Sequence, residues 1–358
     1  MPLKVGIVGM GGIGKQHGQC YKADPLAELV AVCDIVKEKA DAAAELLGVK
    51  AFYSLRDMLS AHPELDIVDV TTSGYENGSW HYEPSVEAIE AGKNVLVEKP
   101  ISNDIQEARD LVELARVKDV YLGCNLNHYF TQTAGKAWEY INAGQVGEPV
   151  YLMQKMGFHG GEESYKKMAS PRWQRPYSHV KAFLAHPFSI MRHFGGDITH
   201  IQAFLTKPGF RRTAQDLMLS INSINMQFEN GSVGYILSQR GDAHFGLGGW
   251  WSFEMAGTKG TFCIENCVEQ LTYWTMGKEP EVYNTGITEF GATFAPRLHA
   301  YLEDVTNGVS KQFIRASGYD ALATLEYTFA VIESYENGGA LVRPNPLPHR
   351  HGDPSIMQ

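Results

Sequence analysis

No stretch of this chain comes near the roughly 18 consecutive apolar residues that a membrane-spanning helix requires. Basic residues are not in surplus either: 31 Lys plus Arg stand against 41 Asp plus Glu, for a formal net charge of −10. That balance argues against nucleic acid or an anionic membrane surface as the main partner. Cysteine is scarce. The five, Cys20, Cys33, Cys124, Cys263 and Cys267, are odd in number and form no Cys-x-x-Cys pair, so neither a disulfide framework nor a zinc ribbon is expected. Internal repeats, low-complexity tracts and linkers are missing, and the amino terminus reads directly as a strand, without the apolar region or cleavage site of a signal peptide. The expectation is a reduced, cytoplasmic, soluble enzyme. Core material is ample: 358 residues, 44% apolar and 20% charged, suit two domains or three.

Short aliphatic runs alternate with helical stretches through the first third. Strands are expected at Leu3–Val8, Leu29–Cys33, Ile67–Thr72, Asn94–Glu98 and Val120–Cys124, and helices at 13–24, Val36–Leu47, Pro84–Ala91 and Asp104–Val117. Strands alternating with helices of this length imply right-handed crossovers and a doubly wound parallel sheet, here a Rossmann domain over residues 1–125. From about residue 150 the pattern changes to strands of alternating polarity: Val150–Gln154, Ile198–Thr206, Asp216–Phe228, Ser232–Gln239, Trp250–Ala256 and Gly260–Glu265. Few helices intervene, chiefly at 179–194 and 319–337. The whole reads as α/β: the Rossmann sheet, then an α+β domain over 126–343 with a large, mostly antiparallel open sheet, and an irregular tail over 344–358. An open face would expose Trp250, Phe253 and similar residues, which points to a homo-oligomer, dimer or tetramer, through that sheet.

Gly9-Met10-Gly11-Gly12-Ile13-Gly14 places Gly-x-Gly-x-x-Gly between a strand and a helix. Small residues there allow a tight turn, close approach of a pyrophosphate and helix–strand packing, and the helix N-terminus offers free N–H groups. Asp34 ends the second strand 20 residues beyond Gly14, where a carboxylate binds a ribose 2′-hydroxyl and repels a 2′-phosphate. Ile35 follows it and offers no cation, so NAD is favoured over NADP.

Residues 81–101 read His-Tyr-Glu-Pro-Ser-Val-Glu-Ala-Ile-Glu-Ala-Gly-Lys-Asn-Val-Leu-Val-Glu-Lys-Pro-Ile. With Asn125-Leu126-Asn127-His128-Tyr129-Phe130, Ile141–Val150 and Glu254–Gly260, this resembles the glucose-fructose oxidoreductase / inositol dehydrogenase family (Gfo/Idh/MocA) over nearly the whole chain. The resemblance implies NAD(P)-dependent oxidation of a secondary hydroxyl on a sugar or cyclitol. It implies cofactor contacts at Gly9, Gly11, Gly12, Ile13, Gly14, Asp34, Ile35, Thr71, Thr72, Ser73, His81, Glu98, Lys99 and Asn127, and a cis-type kink at Pro100. Lys99, at the carboxyl end of a parallel strand, is suited to stabilising an alkoxide and assisting its deprotonation.

The family's second catalytic element is a helix with an acid or lysine four residues before a histidine. Aligning Arg192-His193-Phe194-Gly195-Gly196 to that pattern puts the histidine at His186, but the acid position is Ala182 and the usual Asp is Ser189. Lys181 sits five residues from His186, about 140° around a regular helix. His186 is therefore the expected base, with Lys99 as its electrostatic partner. Substrate contacts are expected from Lys99, His128, His159, Trp173, Arg175, Tyr177, His179, Lys181 and His186, several of them in a long Gly- and aromatic-rich loop. No metal site is expected; His349-x-His351 in a Pro-rich tail is a weak candidate. The leading reading is an NAD-dependent sugar, glycoside or cyclitol dehydrogenase. The alternatives are a keto-sugar reductase, a shuttle with tightly held NAD, and a non-catalytic NAD(H) sensor; the partners expected are a small polyhydroxylated substrate and further copies of the chain, not nucleic acid or membrane.

Overall fold

The computed structural model describes residues 1–73, 80–158, 175–212, 217–244 and 250–348. The chain folds into two compact units. The first comprises Met1–Leu126, Phe294–Leu325 and the segment from Pro346, and the second Asn127–Thr293 and Glu326–Asn345.

The first unit opens with β1 (Leu3–Val8), α1 (Gly12–Ala23), β2 (Ala27–Cys33), α2 (Lys37–Leu47), β3 (Lys50–Phe52), α3 (Leu55–Ala61), β4 (Ile67–Val70), α4 (Tyr82–Glu90), β5 (Asn94–Val97), α5 (Ile105–Val117) and β6 (Leu122–Cys124). Its six strands lie in the order β3-β2-β1-β4-β5-β6, all parallel. The winding reverses between β1 and β4, the place where such sheets bind ligands at their carboxyl edge. Strand β4 is buried along its whole length, as a strand covered on both faces must be. Asp104 caps α5 by accepting from the Gln106 and Glu107 N–H groups. The sequence reading missed β3 and α3, because a three-residue Lys-Ala-Phe strand is too short to show a period.

The second unit contains α6 (Gln132–Asn142), β7 (Pro149–Phe158), α7 (Ser178–Phe183), α8 (Ala185–Gly195), β8 (Ile198–Thr206), β9 (Ile221–Phe228), β10 (Val233–Arg240), β11 (Trp251–Gly257), β12 (Thr261–Glu265), β13 (Gln270–Trp274) and β14 (Glu281–Asn284). The eight strands run β14-β13-β12-β11-β7-β10-β9-β8, and only β7 and β10 pair in parallel. The single helix expected over 179–194 is two helices meeting at Leu184. Pro187 has no N–H to give the Phe183 carbonyl, so α7 stops there and Pro187 falls in the first turn of α8, where none is needed.

One expectation about the open face is corrected. Strand β11 starts at Trp251, so Trp251, Phe253 and Met255 share the covered side and are buried, while Trp250 precedes the strand and is half-buried. Side chains alternate along a strand, so Trp250 and Phe253, three residues apart, do not share a face. The uncovered side instead carries Tyr151, Met153, Phe204, Val233 and Trp274.

The chain then returns to the first unit through α9 (Phe294–Thr306) and enters α10 (Gly318–Glu336). Buried Arg297 donates to the Cys124 and Ala316 carbonyls, and Tyr301 Oη donates to Val95 O at 2.9 Å. Residues 294–325, expected in the second domain, therefore pack with the first unit, since helical periodicity does not say which sheet a helix covers. Among the described residues no helix is long and apolar enough to cross a membrane.

Candidate functional site

In the first unit the glycine loop leaves β1 at Gly9 with φ +101°, a conformation that favours glycine. A Cβ on Gly9 would lie 2.5 Å from Thr72 N, and one on Gly14 2.1 Å from Gly9 O. These two are closed in by the protein. Gly11 and Gly12 have nothing within 4 Å of a built Cβ, and no side chain caps α1 at Gly11. The loop thus presents open backbone and uncapped N–H groups, which fit a diphosphate. Thr71 braces the turn, its Oγ1 donating to Gly9 O at 2.6 Å. Asp34 accepts from Met10 N at 2.8 Å and Val36 N at 2.9 Å, which holds its carboxylate beside the loop. Ile13 and Ile35 are exposed, Ile35 at 83%, and Ser73 is exposed as well. Thr72 Oγ1 donates to Trp80 O at 2.6 Å.

Lys99 follows β5 and is half-buried, and its bond to Pro100 is cis. His81 sits behind it, Nδ1 at 2.7 Å from Pro100 O and Nε2 at 2.7 Å from Thr72 O. Burial holds its pKa below the ordinary value against the pull of those carbonyls and Glu98. Both ring nitrogens are committed to backbone, so His81 braces the loops rather than offering itself to a ligand.

Glu98 is likewise committed, and here the structure adds residues the sequence reading missed. His17, on α1, lies with Nδ1 at 2.8 Å from Asp69 Oδ2 and Nε2 at 3.2 Å from Glu98 Oε1. Asn125 Nδ2 donates to the same Glu98 oxygen, and Glu98 Oε2 accepts from Lys99 N at 3.2 Å. Burial opposes charge on His17, but the Asp69 carboxylate, then Glu98, outweigh it and raise its pKa to about 10. Burial likewise opposes charge on Glu98, and His17, Lys99 and Asn125 together bring it down to about 2. The network is an imidazolium between two carboxylates. An aspartate inside the aliphatic run Ile67-Val68-Asp69-Val70 was its one sequence signal, because a buried carboxylate demands a partner.

The pair makes stability depend on pH. Folded His17 keeps a proton that the unfolded chain releases near its model value of 6.5. Its contribution is full below that value, declines as pH rises, and is gone above about 10. The Glu98 contribution is full above 4.5 and is lost as pH falls toward about 2. Thermal unfolding followed against pH is expected to show Tm falling between pH 6.5 and 10, with a shallower fall in His17→Gln. Parallel alkaline limbs in the two proteins would count against the assignment.

In the second unit His186 lies in the first turn of α8, buried, and its ring stacks on His128 with centroids 3.8 Å apart and planes 2° apart. Trp251 Nε1 donates to His128 Nδ1 at 3.2 Å, and Phe290 meets His128 edge-on at 5.1 Å. A base expected from sequence is thus seated by an aromatic wall. Ala182 is buried, and Ser189 Oγ donates to His186 O at 2.7 Å, so neither supplies an acid. Lys181 stands over the Phe329 ring at 5.1 Å. His179 Nε2 lies 2.7 Å from Ser238 Oγ, its pKa held well below the ordinary value by burial and by the Arg240 and Arg211 cations. Tyr177 Oη donates to Glu336 at 2.7 Å, Arg175 is exposed, and Asn127 Nδ2 donates to Thr293 Oγ1 at 2.6 Å. His159, Trp173, His349 and His351 lie outside the described residues.

Residues 3–126 match the model of an oxidoreductase family with an NAD-binding Rossmann fold, GFO_IDH_MocA. Over 94% of this chain and 95% of its own length, scyllo-inositol 2-dehydrogenase (NAD(+)) of Bacillus subtilis (strain 168) is 24% identical. D-glucoside 3-dehydrogenase of Escherichia coli (strain K12) is 31% identical over 41% of each chain. The chain spans under half the length of the curated relatives it matches at about 30% identity. A levoglucosan dehydrogenase solved in complex with NADH shares the fold, with a TM-score of 0.84 at 19% identity over 97% of this chain and 100% of its own.

Proposed function

We propose, since residues 3–126 match the model of the Gfo/Idh/MocA oxidoreductase family with its NAD-binding Rossmann fold, that the chain is an NAD-dependent dehydrogenase of a secondary ring hydroxyl on a sugar, glycoside or cyclitol. The observation that carries this reading is Lys99 at the carboxyl edge of a parallel sheet, its backbone N–H held by Glu98, in the same unit as an open glycine loop. When bound, NAD supplies the acceptor for the hydride of the carbinol carbon. Gly11, Gly12 and the first N–H groups of α1 hold its diphosphate, and Asp34 takes a ribose hydroxyl. Lys99 stabilises the oxygen as it becomes an alkoxide. His186 removes the hydroxyl proton. Curated relatives named for inositol and glucoside oxidation support the substrate class. The test is absorbance at the NADH band while cyclitols, aldoses and glycosides are offered with NAD. Reduction with at least one ring polyol is expected; its absence from all three classes would refute the reading.

The cofactor choice rests on Asp34, with exposed Ile35 next to it and no cation at either position. Titration is expected to give tighter binding of NAD than NADP by at least about tenfold, or about 1.4 kcal/mol. Asp34→Ala combined with Ile35→Arg narrows that gap, because it removes a repelling charge and adds a phosphate partner. A wild-type preference for NADP would overturn the assignment.

A second copy of the chain is the proposed occupant of the uncovered sheet face, where Met153, Phe204 and Val233 are roughly half exposed (46%, 54% and 53%). Sedimentation is expected to return a dimer or tetramer, dissociated by Phe204→Glu. A wild-type monomer would remove this part of the account.

A further inference from the structure

We infer that His17 is a positioning residue for Lys99, acting through Glu98 from the same helix whose N-terminus faces the diphosphate. The inference rests on the reading of Lys99 as the alkoxide-stabilising group. His17 lies within α1 and reaches the ends of two strands. It meets Asp69 Oδ2, within β4, at 2.8 Å and Glu98 Oε1, just beyond β5, at 3.2 Å. The carboxylate it holds is the one whose second oxygen receives the Lys99 N–H at 3.2 Å. Asn125, just beyond β6, donates to the same Glu98 oxygen with its Nδ2 3.2 Å from His17 Nε2, and Phe294 of α9 closes the cluster edge-on at 5.4 Å from the His17 ring. Both His17 ring nitrogens are thereby used, and neither His17 nor Asp69 has any exposed side-chain surface.

Charge explains why an imidazolium stands here. Two carboxylates buried this close repel unless a cation lies between them, and removing one partner of a buried ionic cluster leaves an uncompensated charge. Without His17, the cheapest relief is for Glu98 to turn away or take up a proton. Either change loosens its hold on the backbone of Lys99. Since Lys99 acts only if its ammonium meets the developing oxyanion, a displacement of about 1 Å is enough to cost on the order of 10²-fold in rate. Asp69 does not touch the turn; it fixes the far side of the ring, so that the restraint on Glu98 is referred to the sheet itself.

A double-mutant cycle separates positioning from mere structural support. His17→Gln is expected to lower kcat by roughly 10- to 100-fold on the best ring polyol, with KM and the NAD Kd within about twofold of wild type. In the Lys99→Ala background the same substitution is expected to cost almost nothing more, because the group it positions is gone. Glu98→Gln keeps the side-chain shape, is read in the same way, and serves if His17→Gln does not fold. A kcat loss that persists undiminished in the Lys99→Ala background overturns the inference. So does an unchanged kcat in both variants, or a weakening of NAD binding that accounts for the loss. If Lys99→Ala alone turns over at the wild-type rate, the reading of Lys99 fails first, and the inference falls with it.

Discussion

Replacing His186 by alanine is expected to lower kcat by roughly 10²- to 10⁴-fold, the range for a positioned general base. No acid stands where the family resemblance leads one to expect it: Ala182 lies four residues before His186, and the Ser189 hydroxyl is spent on the His186 carbonyl. The ring is instead held by packing, face to face with His128 at 3.8 Å, and His128 is itself fixed by the Trp251 indole N–H at 3.2 Å. The neighbouring candidates are poor substitutes. His179 is held well below its ordinary pKa by burial and two nearby arginines, which makes it a weak base. Lys181 is turned onto the Phe329 ring. His186→Asn is expected to lose activity comparably, since an amide cannot accept the proton. Measured kcat near wild type in His186→Ala would show that α8 does not carry the chemistry.

Lys99→Ala is expected to cost about 10²- to 10³-fold in kcat, about 3 to 4 kcal/mol, as removal of an oxyanion-stabilising donor does. NAD affinity should change little, because the glycine loop and Asp34 are separate from Lys99 in chain and in their hydrogen bonds. The split matters more than the size. A loss realised in kcat with NAD binding preserved marks a group used in the transition state, whereas a loss confined to KM marks one used in ground-state binding. Equal kcat in Lys99→Ala and wild type would leave the turn at Pro100 without a catalytic purpose.

The residues of the glycine loop and of the turn at Lys99 were legible because their signal is local. Gly9 to Gly14, Asp34 and Glu98-Lys99-Pro100 each follow a strand at a spacing that the loop geometry dictates, and each is found at the carboxyl edge of the parallel sheet. The clamp behind Lys99 was not legible, since His17 and Asp69 stand 52 positions apart in the chain and only the fold brings them together. Glu98 illustrates the limit. Sequence reading assigns it to the cofactor, but its oxygens are occupied by His17, Asn125 and the Lys99 N–H. The break between α7 and α8 was foreshadowed by Pro187, yet the altered geometry around His186 needed coordinates. Face assignment in β11 failed for a plainer reason: Trp250 and Phe253 stand three residues apart, so strand alternation puts them on opposite sides, and Phe253 goes with buried Trp251 and Met255.

Hydride transfer from a ring carbon to NAD under the control of Lys99 and His186 is the central claim. Its most direct test uses the best ring polyol, perdeuterated at its ring carbons, with NAD and enzyme in a single turnover. The account predicts one deuterium delivered to C4 of the nicotinamide by the wild-type protein, and a rate at least about 10²-fold lower in both Lys99→Ala and His186→Ala. Reduced cofactor without deuterium, or deuterium transferred at the wild-type rate by either variant, would contradict it.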